Sequence, residues 1–78
     1  MRTTLRHMHK NQEGQIVAIK GSGELGQRLR EMGLVPGSTV RIMGRAPLKD
    51  PVAVRIMGGT VSLRNGEADQ IEVEVANL

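Results

Sequence analysis

His7 and His9 are the only histidines in a chain of 78 residues, and one residue separates them. On an extended segment, side chains two apart project to one side, so the pair could chelate a transition metal such as Fe(II) through its imidazoles. A metal centre needs further ligands, and the chain has no cysteine to supply a thiolate. A solvated pair near the N-terminus is the competing expectation. No Ser–His–Asp set can be assembled, because only these two imidazoles could serve as its base. Glu72 and Glu74 share one face of a strand and are expected to form a solubilising exterior, not paired catalytic acids. Gly21-Ser22-Gly23-Glu24-Leu25-Gly26 spells G-x-G-x-x-G between a strand and a helix, where a dinucleotide site would lie. No Lys-Ser or Lys-Thr follows it, and the chain is too short for the fold that uses it. Its glycines are expected to make a tight turn and the start of a helix. The expectation is a protein that is not an enzyme, requires no cofactor and acts by binding.

Short strands and one helix must position these residues. Residues 14–20 carry Ile16, Val17 and Ile19 and fit a buried strand. Ser22 stands where a helix is capped, and Glu24 would complement the positive helix end. Leu25, Leu29 and Met32 form one apolar stripe, and Glu24 and Arg28 are spaced to pair, which predicts a helix over residues 24–32. Gly33 is placed to end it, and Pro36 to prevent its resumption. Val-Arg-Ile-Met-Gly occurs twice, at residues 40–44 and 54–58. Both copies alternate, which predicts an antiparallel pair with Val40, Ile42, Val54 and Ile56 inward and Arg41, Met43, Arg55 and Met57 outward. The loop between them, residues 45–51, contains Pro47 and Pro51 and cannot be regular strand. Gly58-Gly59 signals a hairpin turn, residues 60–64 a strand, residues 65–69 a turn or single helical turn, and residues 71–75 a strand. These short strands are too few for two packed layers. Closed into a barrel with the helix at one end, they lose most of their exposed edges.

Composition removes several functions. The chain contains no Phe, Tyr or Trp, so it has neither the aromatic walls of a polyproline groove nor the platforms on which single-stranded nucleic acid stacks. Its formal net charge is +3. Arg2, Arg6 and Lys10 against Glu13 place most of that excess in the N-terminal stretch, so no specific nucleic-acid partner is expected. No apolar run approaches the roughly 18 residues of a membrane span, and no signal-peptide h-region is present, so direct membrane insertion is not expected and a cytoplasmic location is.

Several segments then carry a resemblance. Met32-Gly33-Leu34-Val35-Pro36-Gly37, Ala46-Pro47-Leu48-Lys49-Asp50-Pro51, Val61-Ser62-Leu63-Arg64, Glu67-Ala68 and Ile71-Glu72-Val73 occur in the order and spacing of the FeoA family, the ferrous iron transport protein A domain. The chain resembles that family from about Leu5 to Val75. It departs at Lys49, where the family often has Gly, and at Lys10-Asn11, where it often has Pro-Gly; Asn tolerates the left-handed turn nearly as Gly does.

The resemblance implies a mainly β fold, a small SH3-like barrel of five or six strands with one short amphipathic helix. It implies a flexible N-terminus over residues 1–4 and a domain over 5–76, with Leu5 and Met8 on the barrel. It implies a cytoplasmic accessory of ferrous iron uptake that binds the cytosolic part of a FeoB-type permease and GTPase, peripheral to the inner membrane through that partner. The chain is similar as well to the SH3-like regulatory domain of iron-dependent repressors. That alternative needs a helix-turn-helix domain, which this sequence does not show; a weak transition-metal module is the other alternative. For partner binding the candidates are Arg28, Leu34, Arg45, Leu48, Lys49 and Asp50, with core packing the alternative for Leu34 and simple solvation for Arg28 and Lys49. Open sheet edges and outward Met43 and Met57 would also allow a homo-oligomer.

Overall fold

A computed structural model describes residues 1–21, 23–45 and 50–76. Ser22, expected as a helix cap, and Leu48 and Lys49, expected as contact residues, lie outside the described residues. The order is β1 (Arg2–Thr4), a 3-10 turn (Leu5–His7), β2 (Glu13–Ile19), α1 (Gly23–Glu31), β3 (Thr39–Arg45), β4 (Val52–Ile56), β5 (Gly59–Leu63), α2 (Asn65–Ala68) and β6 (Ile71–Val75). The strands form one antiparallel sheet in the order β1-β6-β2-β3-β4-β5.

Alternation decides which face each strand buries. Val40, Ile42, Val52, Val54, Leu63, Ile71, Val73 and Val75 turn inward with Ile16 and join a single cluster. Leu5 and Met8 enter the same cluster from the N-terminal segment, as expected. Burying each such aliphatic side chain contributes roughly 1.5–3 kcal/mol. A flat sheet could not bring the inner faces of all these strands together. Irregular register between Ile16 and Ala18 and between Ile42 and Gly44 bends two of the ladders, and the sheet curls into a partly open barrel. Asn11 turns the chain before β2 with φ +70°, the left-handed conformation expected of it.

The ends of α1 follow from its residues. It spans Gly23–Glu31, one residue earlier than the stripe predicted, with Leu29 buried and Leu25 and Met32 half-buried against the core. Gly33 N–H donates to Arg30 O at 3.0 Å, and Leu34 N–H to Leu29 O at 3.0 Å. These bonds make a Schellman cap, and Gly33 takes the positive φ of +93° that it requires. Leu34 and Leu29, both fully buried, supply the apolar contact that accompanies it. At the other end, a Cβ on Gly26 would lie 2.5 Å from the Gly21 carbonyl oxygen. The glycine-rich segment packs its own loop against the helix.

Two expectations are corrected. Residues 1–4 are not a flexible tail, because Arg2–Thr4 is an edge strand paired with β6 through Arg2↔Glu74, Thr3↔Val73 and Thr4↔Glu72. Complementary charge helps to hold it there: Arg2 lies 3.4 Å from both Glu72 and Glu74, and the Met1 ammonium pairs with Glu74. That ammonium first, and Arg2 after it, hold the Glu74 carboxyl below its ordinary pKa. The β4–β5 hairpin also turns one residue earlier than Gly58-Gly59, with Ile56 opposite Gly59 and Met57-Gly58 as the connection.

Candidate functional site

The loop expected to recognise a partner emerges from two residues committed to the fold. Arg45, at the end of β3, places Nη1 3.2 Å from Asn65 Oδ1 and Nη2 3.2 Å from Met8 O, and it also donates to Arg6 O. It therefore ties β3 to α2 and to the 3-10 turn. Asp50 Oδ1 accepts the Asn65 backbone N–H at 2.9 Å, which satisfies a donor at the start of α2. Glu67 Oε1 accepts the Arg64 N–H at 2.9 Å in the same turn. Both described ends of the loop thus anchor α2.

The other candidates divide. Leu34 is fully buried and belongs to the core. Arg28 keeps an exposed guanidinium, pairs with Glu67 of α2, and with Met32, Ser62 and Arg64 lines a shallow surface groove.

His7 and His9 do not share an extended segment. His7 ends the 3-10 turn, and its Nδ1 lies 2.8 Å from the Thr4 hydroxyl, which also reaches Asp69 Oδ1 at 3.5 Å. His9 begins a turn in which its backbone N–H donates to Gln12 Oε1 at 2.8 Å. Among the described residues no three His, Asp or Glu side chains are grouped to hold a metal ion.

A second surface went unnoticed in the sequence. Glu13 of β2 stands opposite Arg41 of β3, and Arg41 stands opposite Arg55 of β4. All three are exposed, and they line a groove of about 590 Å³ with Ile56, Met57 and the 37–39 turn. Directly opposed residues bring their Cβ atoms to roughly 4.5–5.5 Å, where like charges repel. Neither arginine has an ion-pair partner among the described residues. Met57, at the hairpin turn beside them, is 98% exposed. The signal for this site was the twin Val-Arg-Ile-Met-Gly segment, whose antiparallel pairing puts its two arginines in register.

Comparisons with known proteins bear on this geometry. The sequence profile of the FeoA domain matches residues 3–75. The chain is 44% identical over 71 residues to the Fe(2+) transport protein A/Fe(2+) transporter FeoB fusion protein of Porphyromonas gingivalis. The match takes in 91% of this chain and 8% of that protein, so the chain spans under a tenth of that relative's length. Iron(II) transport protein A from Clostridium thermocellum superposes with a TM-score of 0.91 at 39% identity, over 95% of this chain and 46% of that one. Stenotrophomonas maltophilia FeoA complexed with zinc, described as a prokaryotic SH3 domain protein, gives 0.82 at 25% identity over 92% of this chain and 89% of that one. A manganese-dependent transcriptional repressor shares the fold alone, at a TM-score of 0.87 and 20% identity, over 96% of this chain and 42% of that one.

Proposed function

The chain belongs to the FeoA family, and from that membership we propose that it is an accessory of ferrous iron uptake that docks on the cytosolic part of a FeoB-type transporter. One observation carries this reading: a sequence 44% identical to this one is covalently joined to FeoB in P. gingivalis. A covalent link holds two modules at an effective concentration in the millimolar range. Separate chains reach the same association only through a binding surface.

The sequence and fold support a binding role. Among the described residues the two histidines stand apart and no three His, Asp or Glu side chains are grouped, while the curled sheet holds a rigid scaffold under exposed turns, where recognition commonly sits. Arg28 presents one charge of the proposed contact surface, Arg45 and Asp50 hold the described ends of the loop, and Leu48 and Lys49 are its candidates outside the described residues. Among the described residues no helix is long and apolar enough to cross a membrane. In this reading the protein is cytoplasmic, reaches the membrane through its partner, and iron is the transporter's cargo.

Capture of the purified cytosolic part of a FeoB-type transporter, with and without guanine nucleotide, tests the proposal. Saturable capture that weakens in Arg28→Glu/Lys49→Glu is the expected result. Absence of capture in both nucleotide states would sink the reading. Capture unaffected by the double change would remove this surface from it.

A further inference from the structure

The Arg41–Arg55 groove is a second recognition feature, and its chemistry can be read without knowing the partner. Arg41 and Arg55 stand directly opposed across β3 and β4, with no carboxylate ion-paired to either among the described residues. Such an arrangement costs stability in the isolated domain, because like charges directly opposed on a sheet repel. It becomes favourable when carboxylates enter between them, since guanidinium and carboxylate match in planar, two-pronged geometry. Strand residues and the exposed Met57 line the groove together, so an apolar side chain beside the acids would also be covered. In an extended chain, side chains on one face recur every two residues, roughly 6.5–7 Å apart. That spacing lets two carboxylates meet two flexible guanidiniums whose Cβ atoms stand about 5 Å apart. Glu13, opposite Arg41 on the far side, repels further negative charge and marks one end of the site.

We propose that this groove binds an acidic, extended polypeptide segment, its carboxylates on Arg41 and Arg55 and an apolar side chain on Met57. The proposal does not rest on the transporter reading, because its occupant is defined by charge and shape.

A dye-labelled peptide of alternating glutamate and leucine, titrated into the 78-residue chain and followed by fluorescence anisotropy, tests it. Saturable, salt-sensitive binding is expected. Arg41→Gln/Arg55→Gln should weaken it about tenfold, the size of two exposed ion pairs taken together. Arg41→Lys/Arg55→Lys, which keeps both charges, should retain more affinity than the Gln variant. Because the Gln variant relieves the Arg41–Arg55 repulsion and loses the Glu13–Arg41 attraction together, it should melt close to the parent chain, which separates lost binding from lost fold.

Three results would overturn the proposal. The Gln variant binds as tightly as the parent; a peptide with lysine in place of glutamate binds as well as the acidic one; or inorganic phosphate displaces the acidic peptide at equal charge concentration, which makes this a small-anion site. Transporter capture lost while peptide binding persists would count against the proposed function alone, and the converse against the groove alone.

Discussion

Arg45 at the end of β3 holds Asn65 at the start of α2, its guanidinium 3.2 Å from the amide oxygen. The same side chain also satisfies backbone carbonyls of the N-terminal segment, so three parts of the chain meet at one cation.

Arg45→Ala should therefore cost about 2 kcal/mol, since hydrogen bonds from a charged donor are the stronger ones and this donor is partly exposed. For a domain of this size that is a fall of about 10 °C in Tm. Urea denaturation checks the first figure and calorimetry the second. An unchanged midpoint would return Arg45 to the exposed contact surface.

Leu34→Ala should cost about 2–5 kcal/mol, the range for truncating a buried leucine. Leu34 is fully buried under the Schellman cap. A contact residue would behave differently, losing capture at unchanged stability, so the two measurements made on one variant decide its role.

Gly26→Ala should destabilise despite the better helix propensity of alanine, worth about 1 kcal/mol. The new Cβ would meet the Gly21 carbonyl oxygen at 2.5 Å. Backbone cannot yield there as a flexible side chain would, and overpacking of this kind costs about 1–3 kcal/mol. A raised melting temperature would show that the loop gives way.

Glu74 sets an acid-side dependence. Its carboxyl is held below its ordinary pKa, first by the Met1 ammonium that donates to it. A carboxylate depressed in the folded state contributes stability above its unfolded pKa and loses it as pH falls through the folded one. Pairing of β1 with β6 should therefore weaken on acidification below the usual carboxylate range. An NMR titration of the Glu74 carboxyl should show the low value, and acetylation of the N-terminus should raise it. No change on acetylation would assign the shift to Arg2 instead.

Much of this architecture was legible because its signals are local. Alternation in residues 71–75 marks β6, and Leu25, Leu29, Met32 and Gly33 mark a helix and its stop within one residue. β1 was missed because Arg-Thr-Thr carries no apolar alternation; it is an edge whose attachment depends on Glu72 and Glu74, seventy residues away. Leu34 was legible as core or contact but not which, since burial depends on what α1 packs against. Arg45 and Asp50 looked like recognition residues because polar groups beside a loop usually face water. Their partner, Asn65, lies on an element that the sequence shows as a turn or single helical turn, with nothing to say what packs against it. The opposed arginines were legible in principle: when two copies of one segment pair antiparallel, a single residue can meet its own counterpart, and the register here makes that residue arginine.

The neighbouring placement of β1 and β6 has a topological consequence. Val75 N–H donates to Met1 O at 2.9 Å, so the first and last strands lie side by side on the same edge region of the sheet. A polypeptide that enters this domain leaves it beside the point where it came in. Such a unit can be spliced into or onto a much larger chain through one narrow stalk, without spreading its host apart. The P. gingivalis fusion, in which the matching region is 8% of the whole, is an assembly of the kind that this stalk geometry permits.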